Sequence, residues 1–255
     1  MRSKRLLAGI GVLSAALFLT SSCAIADIAL APLTRTIQLA QEESKEVIYK
    51  VANRSDQPIA LDISARTWFT LPENSQIDIK DWLNLDTAAL NLKPDEERDI
   101  SFTVTVPKDA KGELASMIYF APKRQEGQMI GTSYGVSLYI FIKGTEIVDP
   151  QIGDATIARN DNKTYVTVTI NNKGNVHFRP VVKATVKVGD TFEEKIDLPF
   201  GKPIFGGQNF TFVKELDKEL PEKGECIIEA SCNYGNDEAS LVEKVFTITL
   251  DSVKE

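Results

Sequence analysis

"TYVTVTINNKGNVHFRPVVKATV", Thr164 to Val186, reads as strand, turn, strand. Val166, Val168 and Ile170 alternate with Thr167 and Thr169. A period of two is the mark of a strand with one buried face. The polar cluster that follows holds Gly174 and Asn175, which tolerate the positive φ of a tight hairpin turn. Pro180 stands near the start of the second run. His177, just past the turn, is the only histidine in 255 residues. No cysteine or carboxylate within several residues gives it a metal-ligand spacing. It reads as a structural residue flanking a surface turn, where exchange for Gln costs at most about 1 kcal/mol.

The same alternation recurs outward from this stretch. "SFTVTV" puts Phe102, Val104 and Val106 on one face, and "VFTITL" does so with Phe246, Ile248 and Leu250. Helical periodicity is nearly absent, and turn clusters come at short intervals. The chain is therefore expected to be all-β, built as sandwiches. The order of landmarks also repeats. "KEVIYKVANRSDQPIALDIS" in the first half is strand, Asn-led turn, then a strand entered near Pro58, as in the opening stretch. "RDISFTVTVPKDAKGELASMIYF" has its counterpart in "QNFTFVKELDKELPEKGECIIEASCNY". Two immunoglobulin-like β-sandwich domains in tandem are expected, at 27–146 and 147–255. They join near "KGTEIVDPQIGD", and no helix exceeds about two turns.

The N-terminus is set apart from the fold. Arg2, Lys4 and Arg5 precede an apolar run from Leu6 to Leu19, and Ala24-Ile25-Ala26 offers a small-x-small cleavage site. This is the layout of a secretory signal peptide, residues 1–26. Cys23 raises a rival, a lipidated cysteine, although Thr20 stands where such signals carry Leu. Removing residues 1–26 takes away three basic residues and leaves 26 Lys and Arg against 36 Asp and Glu, a net charge of −10. An acidic surface repels phosphate backbones, so nucleic acid is not an expected partner. No later apolar run is long enough to span a membrane. The expected location is the periplasm or cell envelope.

Enzyme signatures are missing. There is no G-x-S-x-G elbow and no Gly-rich phosphate loop. Amide- and acid-rich tips at "NDN", Asn160 to Asn162, and "NDE", Asn236 to Glu238, read as solvated turns. No catalytic residue, metal ligand or cofactor is expected. Cys226 and Cys232 lie six residues apart in "ECIIEASCNY". On one straight strand that is about 20 Å, far beyond disulfide reach. They are expected to be unpaired, small, buried residues.

"NNKGNVHFRP", "VKVGD", "LPEKGECIIEASCNYG" and "VFTITL" resemble an immunoglobulin-like domain common in exported bacterial proteins. The first half is similar to the N-terminal domain of periplasmic pilus chaperones. "PLTRTIQL" resembles that family's first strand, "VIYKVANRSDQPIALDISARTWF" its second and third with Trp68, and "ASMIYFAPK" its sixth. WxL-interacting surface proteins share much of the pattern. The chaperone resemblance implies two angled immunoglobulin-like domains. It further implies capture of pilin-like subunits by a lent seventh strand, with an outer-membrane usher as a further partner. It makes Arg35 a candidate anchor for a subunit's terminal carboxylate. The matching lysine falls only at Lys143, and the family's Arg-Glu-Ser is replaced by "KGELAS".

The seventh strand, with Ile130, Thr132, Tyr134, Val136, Leu138, Ile140 and Ile142 in alternation, carries no charge from Gln128 to Ile142. A strand used for binding needs an accessible edge, and a spacer blunts its edges with charge. Tyr134, Val136, Leu138, Ile140 and Ile142, with Arg35 and Lys143, are the candidate partner-binding residues. The alternative is a structural or adhesive envelope protein in which both sandwiches are spacers.

Overall fold

The computed structural model describes residues 27–67, 79–123, 132–161, 163–198, 201–235 and 240–250. Residues 1–26 with Cys23, and also Trp68, Ile130, Asn162 and Asn236 to Glu238, lie outside these residues. The described chain is all-β and forms two immunoglobulin-like sandwiches. Its single helical element is a 3-10 turn at Ile79–Asp81.

The first sandwich contains β1 (Ile28–Ala31), β2 (Thr34–Leu39), β3 (Ser44–Asn53), β4 (Ile59–Thr67) and β5 (Leu83–Asn84). It continues with β6 (Ala89–Leu92), β7 (Glu97–Thr105), β8 (Glu113–Pro122) and β9 (Tyr134–Ile142). One sheet has the order β1-β3-β7-β5, the other β2-β9-β8-β4-β6. Consecutive short strands split between the sheets twice, at β1/β2 and at β5/β6. The first switch leaves β3 paired with β1 only from Lys50 to Asn53, so its Ser44–Tyr49 stretch has one open edge. Tyr49, Phe102, Phe120, Leu61 and Leu138 fill the space between the sheets and are fully buried. Each such side chain is worth about 1.5–3 kcal/mol of transfer free energy.

The second sandwich follows with β10 (Pro150–Asn160), β11 (Lys163–Asn172), β12 (Val181–Val188) and β13 (Phe192–Leu198). β14 (Asn209–Glu215), β15 (Glu225–Asn233) and β16 (Leu241–Thr249) complete it. Its sheets are β10-β11-β14 and β13-β12-β15-β16. Its separate core holds Val166, Val168, Ile170, Phe205's neighbour Ile204, Val186 and Ile228. Cys226 and Cys232 sit in that core on β15, both free. Burial pushes the Cys226 thiol up to about 11 and the Cys232 thiol to about 12.

The repeated Asn-led turn has the same mechanics in both halves. Asn53 and Asn172 are fully buried at the ends of β3 and β11. Asn53 donates to Gln57 O at 2.7 Å and Lys93 O at 3.0 Å, and accepts from Ser55 N at 2.9 Å. Asn172 donates to Val176 O at 2.8 Å and Ile204 O at 2.9 Å, and accepts from Gly174 N at 3.0 Å. Each amide supplies the partners that the turn's own backbone lacks.

The opening stretch is not a hairpin, however. β11 pairs with β10 and β14, while β12 pairs with β13 and β15, so the turn crosses between sheets. Neither Gly174 nor Asn175 has positive φ. Gly174 is needed for close approach instead: a Cβ there would lie 2.0 Å from Ile147 O.

Candidate functional site: strand β9 and the joint between the sandwiches

β9 is apolar on both faces, and the two faces do different things. Its even residues Val136, Leu138, Ile140 and Ile142 are fully buried in the first core, and Tyr134 packs against it. Five of the seven candidate residues thus come together as core. Its odd residues Tyr139 and Phe141 face the second sandwich, where Tyr139 and Ala115 form a small shared cluster with Phe205.

The edge of β9 is mostly closed, contrary to the expectation from its composition. β2 lies parallel to it from Thr34↔Ser137 to Leu39↔Ile142. β8 occupies the other side from Glu113↔Phe141 to Phe120↔Tyr134. A strand of this length cannot signal its neighbours by composition, because an uncharged strand suits an interior position as well as a free one. Only Tyr134–Val136 has no strand on the β2 side among the described residues. Ser137 N donates to Leu33 O at 2.9 Å, so odd residues point their backbone groups toward β2. By the two-residue alternation, Gly135 presents its N–H and C=O to the open side. Leu33, whose carbonyl accepts from Ser137 N, stands beside this opening as an exposed apolar side chain.

Arg35 lies beside it, in register with Leu138, but on the core-facing side of β2 with Ile37 and Leu39. Its Nη2 donates to Ile48 O at 2.9 Å, closing part of the open edge of β3. Its guanidinium carbon sits 5.6 Å from the centre of the Tyr49 ring. Burial raises the Tyr49 phenol pKa, and the nearby Arg35 charge opposes that shift. The Arg35 Nε is buried without a hydrogen-bond partner. Lys143 is not brought to Arg35. It lies five residues beyond Leu138, roughly 17 Å along the strand. Its Nζ pairs with Glu43 Oε2 at 3.7 Å, and both are exposed.

The most densely bonded constellation is the joint, and sequence spacing did not reveal it. His177 is no surface-turn residue. Its Nδ1 meets Glu113 Oε2 at 2.6 Å, and its backbone N donates to Glu113 Oε1 at 2.9 Å. The two side chains are only 10% and 4% exposed. The ring packs 4.3 Å from Tyr139, 5.4 Å from Phe205 and 5.5 Å from Phe141. Arg179 donates to Gly201 O at 2.6 Å and reaches the Tyr139 hydroxyl at 3.4 Å. Asn175 clamps the connector, accepting from Ile147 N at 2.7 Å and donating to Thr145 O at 2.9 Å. Gly112 and Gly206 press on Asn175 so closely that a Cβ would fall 2.3 Å and 2.7 Å from its backbone. Glu113 is 64 residues from His177, which put it beyond any local motif. The legible hint was Tyr139 and Phe141: a strand apolar on its second face has that face covered too.

No family model matches the chain, and no curated protein matches it. Solved structures do. The class 5 fimbriae chaperone CfaA is 15% identical with a TM-score of 0.49, over 86% of this chain and 98% of that one. A chain from a structure of a chaperone–tip adhesin complex in CFA/I fimbriae biogenesis is 15% identical with a TM-score of 0.48, over 86% of this chain and 98% of that one. The Pseudomonas aeruginosa CupB2 chaperone is 12% identical with a TM-score of 0.42, over 86% and 98%. CfaA is a fimbriae chaperone and CupB2 a chaperone, the kind of protein whose motifs the sequence resembles. No helix among the described residues is long and apolar enough to cross a membrane.

Proposed function

We propose that this protein is an exported, non-enzymatic chaperone-like protein that captures pilus or surface subunits by β-strand addition. In this reading residues 1–26 are a signal peptide, and domains 27–146 and 147–255 work in the periplasm, with an usher as a further partner. The observation that carries it is the opening at Tyr134–Val136. Among the described residues it is an uncharged strand end with no strand on one side, and apolar Leu33 stands beside it. An incoming strand gains main-chain hydrogen bonds there, and side-chain pockets set its register.

Arg35 is the candidate anchor because a carboxylate would satisfy its buried Nε in a charge-assisted bond. Lys143 lies far along the strand from this opening, beside Glu43. The spacer reading draws on β2, which closes β9 from Ser137 to Ile142.

The experiment is co-purification of subunits encoded beside the gene. Gly135→Pro removes one outward N–H and leaves the β8 bonds, whose partners are the even residues. Wild type should retain the subunits, and Gly135→Pro should lose them with a similar thermal midpoint. No recovery with wild type supports the spacer reading. Equal recovery with both proteins contradicts the β9 opening as the site.

A further inference from the structure

Among the described residues, the other sheet edges are short, charged or bulged. β1 and β6 have four residues each and β5 has two. The open half of β3 carries Lys45 and Glu46. β13 carries Glu193, Glu194, Lys195 and Asp197, and β16 carries Glu243 and Lys244. β10 has a bulge between Ile152 and Ala155, with Lys244 bonded to the carbonyls of Ile152 and Gly153. Such devices keep edges from pairing with another chain.

β14 lacks them. It is the outer strand of β10-β11-β14, and its first five residues, Asn209 to Val213, are uncharged. Phe210 is 37% exposed and Val213 62%. Leu216 N donates to Thr164 O, and Asn172 N to Gln208 O, each at 2.8 Å. These bonds set the phase: residues 210, 212 and 214 turn their backbone groups to β11, while Asn209, Thr211 and Val213 turn theirs outward.

We infer that this edge pairs with the same edge of a second copy, antiparallel about Thr211. Thr211 then meets its own counterpart, and Asn209 meets Val213. About six backbone hydrogen bonds form. Lys214 and Glu215 fall outside the paired segment, so no like charges oppose. Two three-stranded sheets become one continuous sheet. A five-residue edge buries well under the roughly 1,200 Å² of a standard interface, so the dimer is weak and reversible. This self-pairing is independent of client capture at β9.

The test is sedimentation velocity across a concentration series, with variants. Wild type should dimerise with rising concentration. Val213→Lys should weaken dimerisation at least about tenfold with unchanged far-ultraviolet circular dichroism, because the charge guards the edge. Thr211→Cys should oxidise to a covalent dimer, since residues opposed across the twofold have Cα atoms about 5.5 Å apart. Native Cys226 and Cys232 are buried and do not compete. Asn209→Cys faces Val213 and should stay uncrosslinked. A wild type that is monomeric at every concentration overturns the inference. So does a Val213→Lys dimer as tight as wild type, or crosslinking by Asn209→Cys as efficient as by Thr211→Cys.

Discussion

Cys226 and Cys232 are shielded by strands on both sides: Cys226 stands opposite Val188 and Ile248, Cys232 opposite Val182 and Val242. Neither thiol should react with iodoacetamide in the native protein at pH 8, and both should react after unfolding, read as mass increments. Their raised pKa values have a pH consequence. Below about pH 8.5 both states keep their thiols protonated. Above it only the unfolded thiols ionise, so stability falls as pH rises toward the folded values of about 11 and 12. The denaturation midpoint of a Cys226→Ala/Cys232→Ala variant should therefore drop less between pH 8 and 10 than that of wild type. The placing of these cysteines was legible because one strand fixes its own spacing. His177 was not, since its partner lies 64 residues away. Removing Glu113's carboxylate leaves His177 N and Nδ1 without their acceptor. Glu113→Ala should cost about 1–3 kcal/mol in a urea titration, and Lys108→Ala, an exposed control, should stay within about 0.5 kcal/mol.

Elements were legible where they are amphipathic. β3, β7 and β11 bury every second residue over most of their length, as their sequences required. What pairs with what was hidden, because strand neighbours are set by sheet switching at β1/β2 and not by composition. Arg35 shows the limit. "TRTIQL" places it in phase with the apolar Ile37 and Leu39, which puts it on the core side of β2. The consequence is a structural role beside any binding role. Its bond to Ile48 O ties β2 to the open stretch of β3. Arg35→Ala should thus lower stability by about 1 kcal/mol in addition to weakening client capture. Arg35→Lys keeps the charge but loses the guanidinium fork. If Lys at this position restores capture fully, the anchor needs only charge, and the Nε geometry is irrelevant.

At the scale of the whole molecule, the two cores meet through the Ala115–Tyr139–Phe205 cluster and the hydrogen bonds of Glu113 with His177, Arg179 with Tyr139 and Asn175 with the connector. Gly112, Gly174 and Gly206 let the connector, the β11–β12 turn and the first sandwich approach within backbone contact. That closeness fixes the relative placement of the sandwiches, and a side chain at Gly174 would have to displace the backbone of Ile147 and Asp149. Gly174→Val should split a single calorimetric transition into two, as the halves lose their coupling. One transition at an unchanged midpoint would show that the joint does not couple them. Sequence repetition revealed the two halves, while the joint between them is written in residues scattered from Gly112 to Phe205.

The central claim is that a partner strand adds at the opening of β9. Amide hydrogen exchange at Gly135, with and without a captured subunit, tests it most directly. Its N–H faces the side that no strand covers among the described residues. It should exchange rapidly in the free protein and become protected in the complex, while Ser137, already bonded to Leu33 O, changes little. A complex in which Gly135 exchanges as fast as in the free protein would contradict strand addition at this site.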